Sequence, residues 1–288
     1  MMFNFKDLFS FKKEELFFRR KPSIEKTAFL EEGNPNGLKT KVIIKDHETG
    51  LVLFTGSNKT LISGSEFLAM QVFNLPHEEF ITPTYNTRLK LDNSKTSTVK
   101  DKINDYFTYL FCVGTSGCNR ESAIKYEVSN KKWIAPADLV PFQYVPFGKD
   151  LDKTQREMYF GKKTLADKKF YAYYFKAFDS DPTIRRQLED GTPIDSSIYD
   201  DSSELPAQVV IENNLSITKD DCRDYFINTT GINDARFNCL SLCMAWKDVV
   251  DGYTFYQDIR PITRINFANR FMNDSIESGW DIIYRIYF

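Results

Sequence analysis

Apolar and polar positions alternate along most of this chain, and that alternation predicts strands. Val42 and Ile44 precede the polar turn His47-Glu48-Thr49-Gly50, and Leu51 and Leu53 follow it, which is the pattern of a hairpin. Residues 84–91, 106–113, 169–178, 207–217, 253–267 and 281–288 continue the series, and 123–128 and 132–134 pair around Ser129-Asn130. Helical signals are fewer. Ser10 is placed to cap a helix over 11–20 that Pro22 ends, Ser63 or Ser65 to cap one running to about Phe73, and Thr218 to cap a short one with Asp220 and Asp221 in its first turn. The stretch 237–250 fits either type, since Leu240, Cys243, Met244 and Trp246 pack from a helix or a strand. Pro136, Pro141 and Pro146 make the segment around them extended and irregular.

No strand–helix–strand alternation points to a parallel sheet. The predicted fold class is α+β and β-rich: an antiparallel barrel or sandwich with a few short helices and an N-terminal helical arm. Glu31 to Gly37 has the Gly, Asn and Pro content of a linker. It divides an aromatic and basic arm, 1–33, from a body, 34–288. Within the body, Pro182, Gly191, Pro193 and Pro206 punctuate a long acidic loop at about 179–206.

Composition sharpens this picture at two points. A hydrophobic fraction of 42% with 27% charged residues is that of a folded chain. The aromatic share of 15%, from 25 Phe and 15 Tyr, suits strands and contact surfaces. The net charge of −2 excludes a general nucleic-acid coat. It is unevenly spread: residues 1–26 carry seven bases and four acids (7 − 4 = +3), and residues 179–224 four bases and twelve acids (4 − 12 = −8). Such flanks can pair between copies of a subunit.

Both extremities are apolar. The opening carries Phe3, Phe5, Leu8, Phe9, Phe11, Leu16, Phe17 and Phe18, and the chain closes on Asp281-Ile-Ile-Tyr-Arg-Ile-Tyr-Phe288. Termini are usually polar and frayed unless something holds them. The expectation is therefore a subunit held by neighbours, with Phe9, Phe17 and Phe18 in the arm and Tyr284, Tyr287 and Phe288 at the end as interface residues.

No motif names a reaction. The two histidines, His47 in a turn and His77 after Pro76, read as solvent-facing. Cys118 follows a glycine turn that could expose its thiol, but no third group orients a Cys–His pair. Gly114-Thr-Ser-Gly117 lacks nucleophile-elbow spacing. Cys112, Cys118, Cys222, Cys239 and Cys243 are an odd set, expected reduced, and match no zinc spacing. Asp179, Asp181, Asp200 and Asp201 lack the glycine and closing glutamate of a calcium loop. The expectation is a non-enzyme with no catalytic residue, cofactor or metal, no membrane span and no sequence-specific nucleic-acid contact.

Five stretches resemble structural proteins of tailed-bacteriophage virions: Phe111-Cys-Val-Gly-Thr-Ser-Gly-Cys118, Ala137-Asp-Leu-Val-Pro-Phe-Gln-Tyr144, Tyr171-Ala-Tyr-Tyr-Phe-Lys-Ala-Phe178, Asp220-Asp-Cys-Arg-Asp-Tyr-Phe226 and Arg260-Pro-Ile-Thr-Arg-Ile-Asn-Phe267. The likeness is one of texture across 111–288 and carries no functional residue with it. It implies a particle component of the neck, tail or baseplate, assembled in the host cytoplasm, whose partners are other virion proteins and copies of itself in a ring. Two alternatives stand beside it. One is a cell-wall hydrolase using carboxylates within 179–224. The other is a carbohydrate or receptor binder using Trp133, Trp246 or Trp280.

Overall fold

The computed structural model describes residues 39–73, 84–85, 91–92, 106–119, 124, 129–146, 148–150, 160–165, 168–194, 206–231, 235–250, 252–271 and 279–288. All of them belong to one compact unit, Asn36–Phe288. The expected helical arm, 1–33, lies outside the described residues.

In chain order the elements are β1 (Lys39–Asp46), β2 (Val52–Gly56), β3 (Lys59–Thr60), α1 (Ile62–Phe73), β4 (Thr84–Tyr85), β5 (Leu91–Asp92), β6 (Tyr106–Gly114), a 3-10 turn (Pro136–Asp138), β7 (Leu139–Val140), β8 (Gln143–Pro146), β9 (Phe160–Leu165), β10 (Lys168–Tyr173), β11 (Lys176–Ala177), β12 (Thr183–Leu188), β13 (Ala207–Thr218), α2 (Arg223–Asn228), β14 (Arg236–Val250), β15 (Tyr253–Pro261), β16 (Thr263–Phe271) and β17 (Gly279–Tyr287). Every described strand pairing is antiparallel. The fold is β-rich and sandwich-like rather than a closed barrel.

Three layers follow from where the strands bury their side chains. An outer sheet runs β12-β13-β17-β1-β2. Its period of two puts Val42, Ile44, Leu215, Ile217, Ile282 and Tyr284 on the buried face, with Val42 opposite Tyr284 and Ile44 opposite Ile282. The other face carries Lys41 opposite Arg285 and Lys45 opposite Asp281. The central sheet is built on β14. β6 flanks β14 on one side, and β15 then β16 run along the other. Phe237, Leu240, Leu242 and Met244 pack toward the outer sheet. Cys239, Cys243 and Ala245 face the opposite way, into a second core with Tyr144, Phe170 and Ala172 of the small sheet β8-β10-β9. A strand buried on both faces loses its alternation, which explains why 237–250 reads ambiguously and yet lies in the longest described strand.

Gly279 opens β17 at φ +104°, with its Cα so close to β13 that a Cβ would sit 2.2 Å from the Ile217 carbonyl oxygen. β17 lies between β13 and β1, so both of its edges are already paired. It cannot take a further strand from a neighbour, contrary to what its terminal position suggests.

Several local expectations change. Residues 84–85 and 91–92 pair with each other as two short strands instead of forming one continuous strand. Neither Ser63 nor Ser65 caps α1. Ser63 lies inside the helix, and its hydroxyl donates to the Pro261 carbonyl. Thr218 is the last residue of β13, and Cys222, in the left-handed region at φ 66°, takes the cap position of α2. Residues 132–134 are irregular. Part of the expected acidic loop, Thr183–Leu188, is a strand at the edge of the outer sheet.

Candidate functional site

A cleft of about 340 Å³ opens at one end of the central sheet. The beginning of β14 and the end of β16 supply Arg236, Asn238 and Asn269. The turn after β6 supplies Thr115, Cys118 and Asn119, and the segment entering β7 supplies Asp138. α2 and the residues after it contribute Tyr225, Phe226 and Thr230. Three of the five stretches that carry the sequence resemblance, 111–118, 137–144 and 220–226, therefore converge on one place.

Hydrogen bonds fix these walls. The Gly117 amide donates to Asn238 Oδ1 at 2.6 Å, and Asn238 Nδ2 donates to Asn269 Oδ1 at 2.9 Å. The Thr115 amide donates to the Asp138 carbonyl at 2.9 Å. A Cβ at Gly117 would stand 2.0 Å from the Asn238 carbonyl oxygen, so only glycine lets this turn close on β14. Gly231, at φ +90°, ends α2 by donating its amide to the Phe226 carbonyl at 2.7 Å.

A second surface lies farther along the central sheet. Phe107 and Tyr109 of β6 have ring centroids 6.1 Å apart, and Tyr109 and Tyr256 of β15 are 5.5 Å apart. Lys247 Nζ sits 4.4 Å over the Tyr109 ring. Tyr109 and Tyr256 are the half-buried margin of the second core. Phe107, in ring contact with Tyr109, is 56% exposed, and Val249, two residues beyond Lys247 on β14, is 66% exposed. Here the face that Cys243 and Ala245 bury continues outward as an apolar and aromatic surface.

The thiols are poorly suited to chemistry. All five cysteines are buried and free. Cys118, expected to be the accessible one, donates instead to the Phe267 carbonyl at 3.4 Å. Burial pushes Cys112 and Cys222 well above the ordinary thiol range and Cys239 to about 11. His47 stands in its turn with Nδ1 2.8 Å from Asp281 Oδ1, and that bond raises its pKa. His77 lies outside the described residues.

Two buried cations are structural. Arg264 donates to the Trp133 carbonyl (2.9 Å), the Ser116 carbonyl (3.2 Å) and hydroxyl (3.0 Å), and Asn266 Oδ1 (3.1 Å), which ties β16 to the β6 turn. Arg260 pairs with Asp258 at 2.8 Å, and Asp258 also accepts from Tyr106. Asp258 sits at φ 48° beside the β-bulge between β14 and β15. Among the described residues no three His, Cys, Asp or Glu side chains are grouped to hold a metal ion. Asp179 accepts from the Ser216 hydroxyl at 2.9 Å, while 200–201 lie outside the described residues. No described helix is long and apolar enough to cross a membrane.

The sequence-predicted interface residues are dispersed. Tyr284 is fully buried in the protein's own core and presents nothing to a neighbour. Tyr287 is half-buried, and Phe288 is 55% exposed with its backbone bonded both ways to Val209. Phe9, Phe17 and Phe18 lie outside the described residues. Trp280 is core, edge-on to Phe237 at 5.1 Å, whereas Trp133 and Trp246 are half-buried. Sequence reasoning missed Arg236, Asn238 and Asn269, which only the β14–β16 pairing brings together. It also missed Phe107 and Tyr109, whose i, i+2 spacing on β6 was the available signal. Comparison with protein-family models, curated proteins and solved structures returned no match.

Proposed function

We propose that this protein is a non-enzymatic assembly subunit, a structural component of a tailed-bacteriophage particle in the neck or tail-connector region, working through contacts with copies of itself and with other particle proteins. The observation that carries this reading is the surface of Phe107, Tyr109, Tyr256 and Val249. Phe107 and Val249 are more than half exposed, and Tyr109 and Tyr256 of the same sheet pack against the second core. Aromatic and aliphatic groups left on a rigid sheet are the usual anchors of protein contacts. Lys247 over the Tyr109 ring adds a polar rim. The texture of segments 111–118, 137–144, 171–178, 220–226 and 260–267 supports the same class of protein.

Sedimentation velocity tests the reading. The purified chain, 33.5 kDa as a monomer, is expected to sediment as an oligomer at tens of micromolar. The Phe107→Asp, Val249→Asp double variant is expected to sediment as the monomer with an unchanged melting midpoint. A wild-type chain that stays monomeric, or a variant that assembles like wild type, refutes this contact. Removing residues 1–21 tests the arm separately: the truncated chain should fold and fail to assemble.

A further inference from the structure

We propose that the cleft beside Gly117 is a saccharide-binding site that takes a single sugar ring. The inference is independent of the assembly reading.

Volume comes first. At about 340 Å³ the cleft falls at the small end of sites that hold small molecules. Its lining then selects the chemistry. Asn119 and Asn269 bring two carboxamides and Thr115 and Thr230 two hydroxyls, while Asn238 is engaged by the Gly117 amide and Asn269. Carboxamides and hydroxyls each both donate and accept hydrogen bonds. The hydroxyls around a sugar ring do the same, so such a lining satisfies them in any rotation. A phosphate or nucleotide needs a concentration of positive charge or a cradle of backbone amides. Among the described lining residues one guanidinium, Arg236, shares the cleft with one carboxylate, Asp138. A peptide added as a strand needs an open strand edge, whereas both flanks of β14 are paired beside this cleft, by β6 and β16. Half-buried Tyr225 provides an aromatic face for the C–H face of a ring, and the neighbouring lining residues Phe226, Leu139 and Val140 are buried.

The polar groups are also held in place. Gly117, Asn238 and Asn269 form one hydrogen-bonded chain, and the 3-10 turn that bears Asp138 is fastened to Thr115. A site whose groups are fixed before the ligand arrives loses less freedom on binding.

Saturation-transfer difference NMR and titration of the full chain with glucose, galactose, N-acetylglucosamine and glucuronate test this. At least one sugar should bind saturably at millimolar concentration. Asn269→Ala and Asp138→Asn should each weaken it about tenfold, roughly one hydrogen bond to a polar ligand. Thr230→Val, which removes only a hydroxyl at the rim, provides a variant that keeps the fold, and it too should weaken binding. Melting midpoints within a degree or two of wild type certify the variants. The proposal is overturned if no sugar binds the folded protein, or if binding survives all three changes. It is equally overturned if inorganic phosphate binds the cleft through Arg236 and the sugars do not.

Discussion

The outer sheet and the central sheet are made from similar residues and teach different things. In the outer sheet one face is buried and one is wet, so β1 and β17 alternate cleanly and each charge has a polar side to occupy. In the central sheet every residue from 237 to 245 is buried, and neither face is free for a charge until Lys247. Among the described residues the two cations buried in this middle layer, Arg260 and Arg264, are bound by named partners. The outer sheet thus tolerates polar variation, while the central sheet depends on packing. Where the cover of the middle layer runs out, at Phe107 and Val249, its apolar face becomes surface.

The largest effect should come from unpacking the join between the two layers. Phe237 of β14 lies edge-on to Phe267 at 5.7 Å and to Trp280 of the outer sheet at 5.1 Å. Phe237→Ala should cost about 3–5 kcal/mol in urea unfolding. Ile184→Ala, on the exposed edge strand of the outer sheet, should stay within about 0.5 kcal/mol. Similar costs at the two positions would erase the distinction between the layers.

Next is Gly117→Ala. The added methyl has backbone in its way, so the turn must retreat from β14 at about 1–3 kcal/mol, and the cleft should lose its ligand at the same time. The outer sheet has one buried ionic group of its own. Glu212 is 5% exposed and takes Arg185 Nη2 on one oxygen and Arg285 Nε on the other, both at 2.8 Å. Both arginines reach solvent, so Glu212→Gln should cost only about 1–2 kcal/mol. A loss as large as that of Phe237→Ala would show that the polar face matters as much as the core.

Thiol reactivity distinguishes the layers without a mutation. With burial holding Cys239 at about 11, its thiolate at pH 8 is on the order of one part in a thousand. A disulfide-exchange reagent should leave Cys112, Cys222, Cys239 and Cys243 unlabelled in the native protein and modify all five cysteines in denaturant. Rapid native labelling would mean that the middle layer opens readily.

The smallest effect belongs to His47. Its pKa is raised by the hydrogen bond and charge of Asp281 and by the charge of Asp46. A raised folded pKa stabilises below the ordinary histidine value, near 6.5, and the contribution is lost as pH rises through the folded value. The pair is exposed, so the melting midpoint should fall by no more than about 1 °C on this account between pH 5.5 and 8. His47→Gln should abolish that part of the pH dependence.

How far the sequence was legible follows the same division. The hairpin of Val42, Ile44 and the turn at His47 was readable because one wet face leaves a period of two. β14 was not readable as a strand, because burial on both faces removes the only signal that separates it from a helix. The long antiparallel order β12-β13-β17-β1-β2 has no local signature, so the apolar final strand looked exposed when it is interior. The cleft was invisible for a related reason. Asn238 and Asn269 are ordinary asparagines until β14 and β16 bring them together. The glycine turn at 114–117 is legible as a turn, but not as the close contact that shapes the site.

Hydrogen exchange read by mass spectrometry, on dilute and on concentrated protein, decides whether the exposed aromatic face of the central sheet is a contact between copies. The β14 amides near 239–245 should exchange slowest at both concentrations. Peptides containing Phe107, Tyr109, Val249 and Tyr256 should become protected only when the protein is concentrated. Equal uptake by those peptides at the two concentrations, or new protection appearing on β12 instead, would contradict this contact.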